Sequence, residues 1–173
     1  DNIEPVLNEI FRLGSDYNLE VLIVDDNSID GTSDLVKSLA KSDSRIRLIR
    51  RVGRSGLSSA IKEGLLNSSN DIAVVMDADG QHQPGDALHA VNDLINSNFD
   101  LVVGSRFIDK ARIGGLSYRR TIGSNSANNL ARISLSNSYK NLTDYMSGCL
   151  ALNLKSCLPF ILKVNVNGFK FYY

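Results

Sequence analysis

Between residues 20 and 104, apolar runs of strand length alternate with amphipathic segments of helix length, and few folds satisfy such a pattern. EVLIVD (20–25), RIRLIR (45–50), DIAVVM (71–76) and FDLVVG (99–104) are the strand candidates, and their continuous Val, Ile and Leu runs suit strands covered on both faces. Between them, TSDLVKSLAKS places Leu35, Val36, Leu39 and Ala40 on one helical stripe. LSSAIKEGLLNSS does the same with Leu57, Ala60, Ile61 and Leu65, and DALHAVNDLINS with Leu88, Val91, Leu94 and Ile95. Thr32 or Asp30 is available to cap the first of these helices. Each helix then serves as the crossover of a right-handed βαβ unit, which predicts an α/β domain with a mostly parallel central sheet. A further helix over DNIEPVLNEIFRLG, with Pro5 in its first turn and Gly14 as its stop, precedes the first strand.

A chain of 173 residues, 43% of them hydrophobic, is of a size to form one domain over 1–173 with a core of its own. Nineteen basic and nineteen acidic side chains cancel, so net charge gives no reason to expect a nucleic-acid partner. Cys149 and Cys157 lack CxxC spacing and read as free thiols in a reducing compartment. Nothing approaches the ~18 consecutive apolar residues of a membrane-spanning helix. Beyond residue 105 the alternation fails. YRRTIGSNSANNLARISLSNSY is helix-like, with Ile122, Leu130 and Ile133 loosely on one face and Arg119, Arg120 and Arg132 as cations, a mixture that suits a membrane surface or an ordinary surface helix.

In open α/β sheets, ligands bind outside the carboxyl ends of the strands. Three polar clusters fall on that edge: Asp25-Asp26-Asn27-Ser28, Asp77-Ala78-Asp79-Gly80-Gln81 and Ser105-Arg106. Asp-x-Asp suits a hard divalent cation such as Mg2+ or Mn2+, whose remaining positions a substrate's phosphate oxygens can fill, and Gln81 offers a neutral oxygen nearby. Asp77 and Asp79 could equally cap the following helix or form an Asx turn. Arg106 at a strand end is a phosphate candidate, because guanidinium binds phosphate bidentately and keeps its proton; Arg119 and Arg120 could join it. His82 could be a ligand, but a loop histidine is more often a solvated side chain, and His89 reads as a structural helix residue. RVGRSG matches neither GxGxxG nor the P-loop pattern, leaving a loop whose backbone could line a ligand.

IVDDN and VVMDADGQHQP resemble the acidic strand ends of a response-regulator receiver domain, with Ser105 where its hydroxyl residue would follow. A receiver would next need a short strand ending in Lys, and this chain has a glycine-containing loop and RRTIGSNSANNLARI instead. IVDDNSIDGT, RSGLSSAIKEGL, VVMDADGQHQP, FDLVVGSRF, YRRTIGSNSANNLA, DYMSGCLALN and GFKF resemble, in order and nearly end to end, the family 2 glycosyltransferases. DADxQH with GSRF and R-x-x-x-S-x-x-A-N is similar to the branch of dolichyl-phosphate (polyprenol-phosphate) mannose synthases.

That resemblance implies a GT-A fold, a Rossmann-like three-layer sandwich, here truncated. It implies a glycosyltransferase catalytic domain, in part, that moves mannose from GDP-mannose onto a polyprenyl or dolichyl phosphate with inversion. UDP-glucose is the alternative donor. Carried over residue by residue, it implies that Val24 and Asp26 contact the nucleoside, Asp77 and Ala78 lie against the nucleotide, and Asp79 and Gln81 hold Mg2+ or Mn2+ on the diphosphate. Arg106 and Arg120 would handle donor or acceptor phosphate, with Ser124 beside the acceptor, and Asp79, Arg106 and Arg120 would carry catalysis. Asp144, Ser147 and Gly148 match a site-lining stretch. The lipid acceptor implies work at the cytoplasmic side of a membrane. The family's first, central strand, with its Pro-x-Tyr-Asn-Glu-like end, has no counterpart before Asp1, and the chain ends before the family's last site residues. A fragment that is poorly folded or inactive by itself is therefore expected.

Overall fold

The computed structural model describes residues 3–78, 82–105 and 148–164. In chain order the described elements are α1 (Ile3–Leu13), β1 (Val21–Asp25), α2 (Thr32–Ser42), β2 (Ile46–Arg50), α3 (Leu57–Leu66), β3 (Ile72–Val75), α4 (Pro84–Ser97), β4 (Leu101–Val103), β5 (Leu150–Asn153) and α5 (Leu154–Lys163). The four predicted strands and four predicted helices all form, with ends a few residues tighter for most. Residue 31 at the start of α2 departs from expectation. Gly31 is the N-cap, in a left-handed conformation and with no side-chain bond of its own, while Asp30 Oδ1 accepts the Thr32 N–H at 3.0 Å.

β1 and β2 pair in parallel from Val21 opposite Ile46 to Asp25 opposite Arg50. β5 lies between β3 and β4 and runs antiparallel to both, with Val75 and Val103 each opposite Leu150. The expected parallel pairing thus holds for β1 and β2, and β3 and β4 share a direction. The antiparallel β5 escapes sequence reading because a four-residue run shows no usable period and its pairing is entirely long-range.

Period-two geometry on β5 builds two cores at once. Leu150 and Leu152 face Leu65 of α3 and Leu154 and Ile161 of α5, whereas Ala151 faces Ala90 and Leu94 of α4. A third cluster, Leu7, Val36 and Ile46, joins α1 and α2 to β2. Helices on both faces of the strands give three layers. β5 is buried along Leu150–Leu152, but β1 and β3 are only half-buried, short of the full coverage predicted for them. Both border a cavity of about 590 Å³, walled by Leu22 and Val24 from β1, Ala73 and Val75 from β3, and side chains of α1 and α3 such as Ile10 and Ile61. Among the described residues, β1 is paired only with β2, and β3 only with β5.

Candidate functional site

The neighbouring aspartates at the end of β1 do different jobs because successive side chains on a strand point to opposite faces. Asp25 is buried and turns inward. Its oxygens accept the Ser28 N–H at 3.2 Å and the hydroxyls of Ser28 and Ser33. Burial alone would raise its pKa, but these hydrogen bonds outweigh that effect and hold the carboxyl below the usual range. Asp25 therefore stitches the β1–α2 turn to the first turn of α2.

Asp26 turns the other way, with its side chain 32% exposed. Oδ1 accepts from Nε of Arg51 at 2.5 Å and forms an ion pair with its Nη2, also 2.5 Å away, and Oδ2 accepts the Gly56 N–H at 2.9 Å. Arg51 is 1% exposed; Nη2 also donates to the Gly56 carbonyl at 3.1 Å and Nη1 to Ser59 Oγ at 2.8 Å, while Glu63 stands 3.8 Å away. Ser59 Oγ donates in turn to the Gly56 carbonyl at 2.8 Å. Both polar groups of the Gly56 peptide are thus engaged at the start of α3, and its φ of 123° is one that residues with a Cβ rarely adopt. The Arg51 guanidinium is the main reason the Asp26 carboxyl lies below its ordinary pKa, so it stays an ionised acceptor.

At the end of β3, Asp77 has a side chain 43% exposed, and His82 Nε2 lies 3.7 Å from its Oδ2. Asp77 does not cap the next helix: the N-cap of α4 is Gln83, followed by Pro84. Gly148 presses against this pair, since a methyl group there would stand 2.6 Å from Asp77 Oδ2 and 3.1 Å from His82 Nε2. The adjoining Cys149 thiol is buried, which, with the nearby carboxylates of Asp86 and Asp77, pushes its pKa up to about 11. It is a packing group and not a nucleophile at neutral pH. Gly104, just after β4, donates its N–H to the Cys149 carbonyl at 2.9 Å, which brings the Ser105 strand end beside Gly148.

Val24, Asp77 and Ala78 border the same cavity, and Val24 lies against Gly64 of α3, where an added methyl would meet Val24 Cγ2 at 3.2 Å. Of the predicted site residues, the structure therefore brings Val24, Asp77 and Ala78 together, with Asp26 two residues beyond Val24. Asp79, Gln81, Arg106, Arg119, Arg120, Ser124, Asp144 and Ser147 lie outside the described residues, as does the helix-like segment 118–139. His82, read as a solvated side chain, is instead Asp77's neighbour. Sequence reasoning missed Arg51. One signal could have found it: parallel pairing of Asp25 with Arg50 puts Asp26 and Arg51 next in register. Among the described residues no helix is long and apolar enough to cross a membrane.

Known proteins match two thirds to nearly all of this chain. A dolichol-phosphate mannosyltransferase of Pyrococcus furiosus is 32% identical over 170 residues, 98% of this chain and 47% of that protein. A polyprenol monophosphomannose synthase of Mycolicibacterium smegmatis is 34% identical over 121 residues, 68% of this chain and 45% of that protein. The chain thus spans about half the length of the curated relatives it matches. A mannosyltransferase from Pyrobaculum calidifontis, solved in complex with GDP-Man and Mn2+, shares the fold at a TM-score of 0.58 and 22% identity, over 96% of this chain and 44% of that one. The family model described as Glycosyl transferase family 2 matches residues 1–159. With strand ends, motif order and that match in agreement, the chain belongs to glycosyl transferase family 2.

Proposed function

We propose that the protein transfers mannose from GDP-mannose to the phosphate of a polyprenyl or dolichyl phosphate, with inversion at the sugar carbon, at the cytoplasmic face of a membrane. The observation that carries this reading is the 170-residue similarity to a dolichol-phosphate mannosyltransferase, which spans every strand end described above. The geometry supports it in kind. Asp26 is held ionised by Arg51 and Gly56, which together occupy part of the acceptor capacity of its two oxygens. The remaining lone pairs suit N–H or O–H groups of a nucleoside. Asp77 and Ala78, beside Val24 on the cavity wall, are positioned to flank the same nucleotide.

The acceptor is a phosphate monoester, anionic near neutral pH, so its oxygen attacks the sugar carbon without a dedicated general base. The barrier lies mainly in departure of the nucleoside diphosphate. Asp79 and Gln81 offer carboxylate and carboxamide oxygens, a donor set that fits Mg2+ or Mn2+. Such an ion, when bound, neutralises charge on the leaving diphosphate. Arg106 and Arg120 orient the two anionic partners against their repulsion, and Ser124 donates to the acceptor phosphate. In-line attack on an α-linked donor then yields a β-linked product.

The test supplies labelled GDP-mannose and, separately, labelled UDP-glucose to the full-length protein with polyprenyl phosphate and Mg2+ or Mn2+. Labelled lipid from GDP-mannose is expected. Labelled lipid from UDP-glucose alone would reassign the donor, and none from either would sink the transferase reading.

A further inference from the structure

We infer that Arg51 is the positioning residue for Asp26: it sets the carboxylate on which nucleoside recognition depends, and it does so by fastening Asp26 to the start of α3. The inference rests on the reading of Asp26 as a nucleoside contact. Its basis is a closed ring of bonds. Asp26 accepts from Arg51, Arg51 donates to the Gly56 carbonyl, and the Gly56 N–H returns to Asp26. Ser59 braces the ring from inside α3, linked to both Arg51 and Gly56. Three elements meet there: the end of β1, the residue after β2, and the N-terminus of α3.

Such a ring is more than a surface ion pair. Arg51 is almost wholly buried, so its guanidinium has given up water and relies on protein acceptors, whereas Asp26 keeps 32% of its side chain exposed. The charge that needs a partner for stability is therefore the arginine, and the charge left accessible to a ligand is the aspartate. A planar guanidinium presents Nε, Nη1 and Nη2 in a rigid fork, and all three nitrogens are engaged here. Lysine has one nitrogen and cannot hold Asp26, Gly56 and Ser59 in the same geometry. Glu63, 3.8 Å from Arg51, also accepts from Arg54 at 3.0 Å, which extends the alternating charges along the exposed β2–α3 loop. That loop is the RVGRSG segment, matching neither glycine-rich phosphate motif.

The experiment measures binding of GDP-mannose and of UDP-glucose by titration calorimetry, with melting in parallel, for the full-length protein and Asp26→Asn, Arg51→Lys, Ser59→Ala and Asp26→Asn/Arg51→Lys. Arg51→Lys is expected to weaken GDP-mannose binding about tenfold, the scale of a lost charge-assisted hydrogen bond, and to lower the preference for GDP-mannose over UDP-glucose. Combined with Asp26→Asn it should weaken binding no further than Asp26→Asn alone, because Arg51 acts through Asp26. Ser59→Ala keeps both charges and loosens only the brace. It should cost about two- to threefold in affinity, and it carries the test if Arg51→Lys fails to fold. If Asp26→Asn binds poorly but Arg51→Lys and Ser59→Ala bind as the parent does, or if the effects add, the positioning role is wrong while the nucleoside reading survives. Unchanged binding by Asp26→Asn would instead remove the nucleoside reading, and this inference with it.

Discussion

The carboxylate ends of β1 and β3 look alike in sequence, Asp25-Asp26 after one and Asp77-Ala78-Asp79 after the other, yet the fold treats them differently. At β1, Asp26 is bonded to a buried arginine and to the peptide that opens α3, and Asp25 is buried among hydroxyls. At β3, Asp77 is partly exposed, has His82 at 3.7 Å, and has Gly148 pressed against its carboxylate. One strand end is preorganised by bonds that also stabilise the fold; the other is kept clear by the absence of a side chain. Substitutions at β1 should therefore move stability and binding together, while substitutions at β3 should separate them.

The largest expected effect tests the β3 end. Asp79→Ala should lower transferase turnover by roughly 100-fold or more, since several kcal/mol of charge stabilisation at the diphosphate is lost, with melting nearly unchanged in metal-free buffer. A large fall in melting temperature would mean that Asp79 is a turn or capping residue instead. Next comes a paired stability measurement. Asp26→Ala leaves the buried Arg51 charge with Glu63, 3.8 Å away, as its one remaining carboxylate among the described residues and should cost about 3 kcal/mol, whereas Asp77→Ala, at a side chain 43% exposed, should stay within about 0.5 kcal/mol. Equal losses in urea denaturation would erase the contrast between the two strand ends.

Gly148→Ala should cost about 1–3 kcal/mol, the range for overpacking, because the methyl must displace Asp77 and His82. Adding Asp77→Ala should restore part of that loss, and failure to do so would place the clash with the backbone or with His82. The smallest effect is a pH dependence at β1. The Asp25 and Asp26 carboxyls lie below their ordinary values, so their contribution to stability is complete above the unfolded carboxylate pKa and fades as pH falls through the folded one. The stability gap between the parent and Asp25→Asn should be flat from pH 5 to 8 and shrink below about pH 4. A gap constant down to pH 2 would show that Asp25 contributes through shape alone.

What could be read in advance divides along physical lines. Leu35, Val36, Leu39 and Ala40 share one stripe at helical spacing, as do the residues around Leu65 and around Leu94, and periodicity of that kind reports local conformation, so α2, α3 and α4 formed over the segments that carry those stripes. Asp26, Asp77 and Ala78 were legible as a shared strand-end position because a strand's carboxyl end is a position along the chain as well as in space. β5 was hidden because its four residues gain their strand character from β3 and β4, far away in sequence. Arg51 was hidden because an arginine after a strand looks solvated until the register of its neighbour is known. By itself the sequence determined the order of elements from α1 to β4, the polar strand ends and the family to which they belong. Only tertiary structure decided that Asp25 is buried while Asp26 and Asp77 stay partly exposed, because burial, the Arg51 ring and the approach of Gly148 to Asp77 arise from contacts between segments and have no local signature.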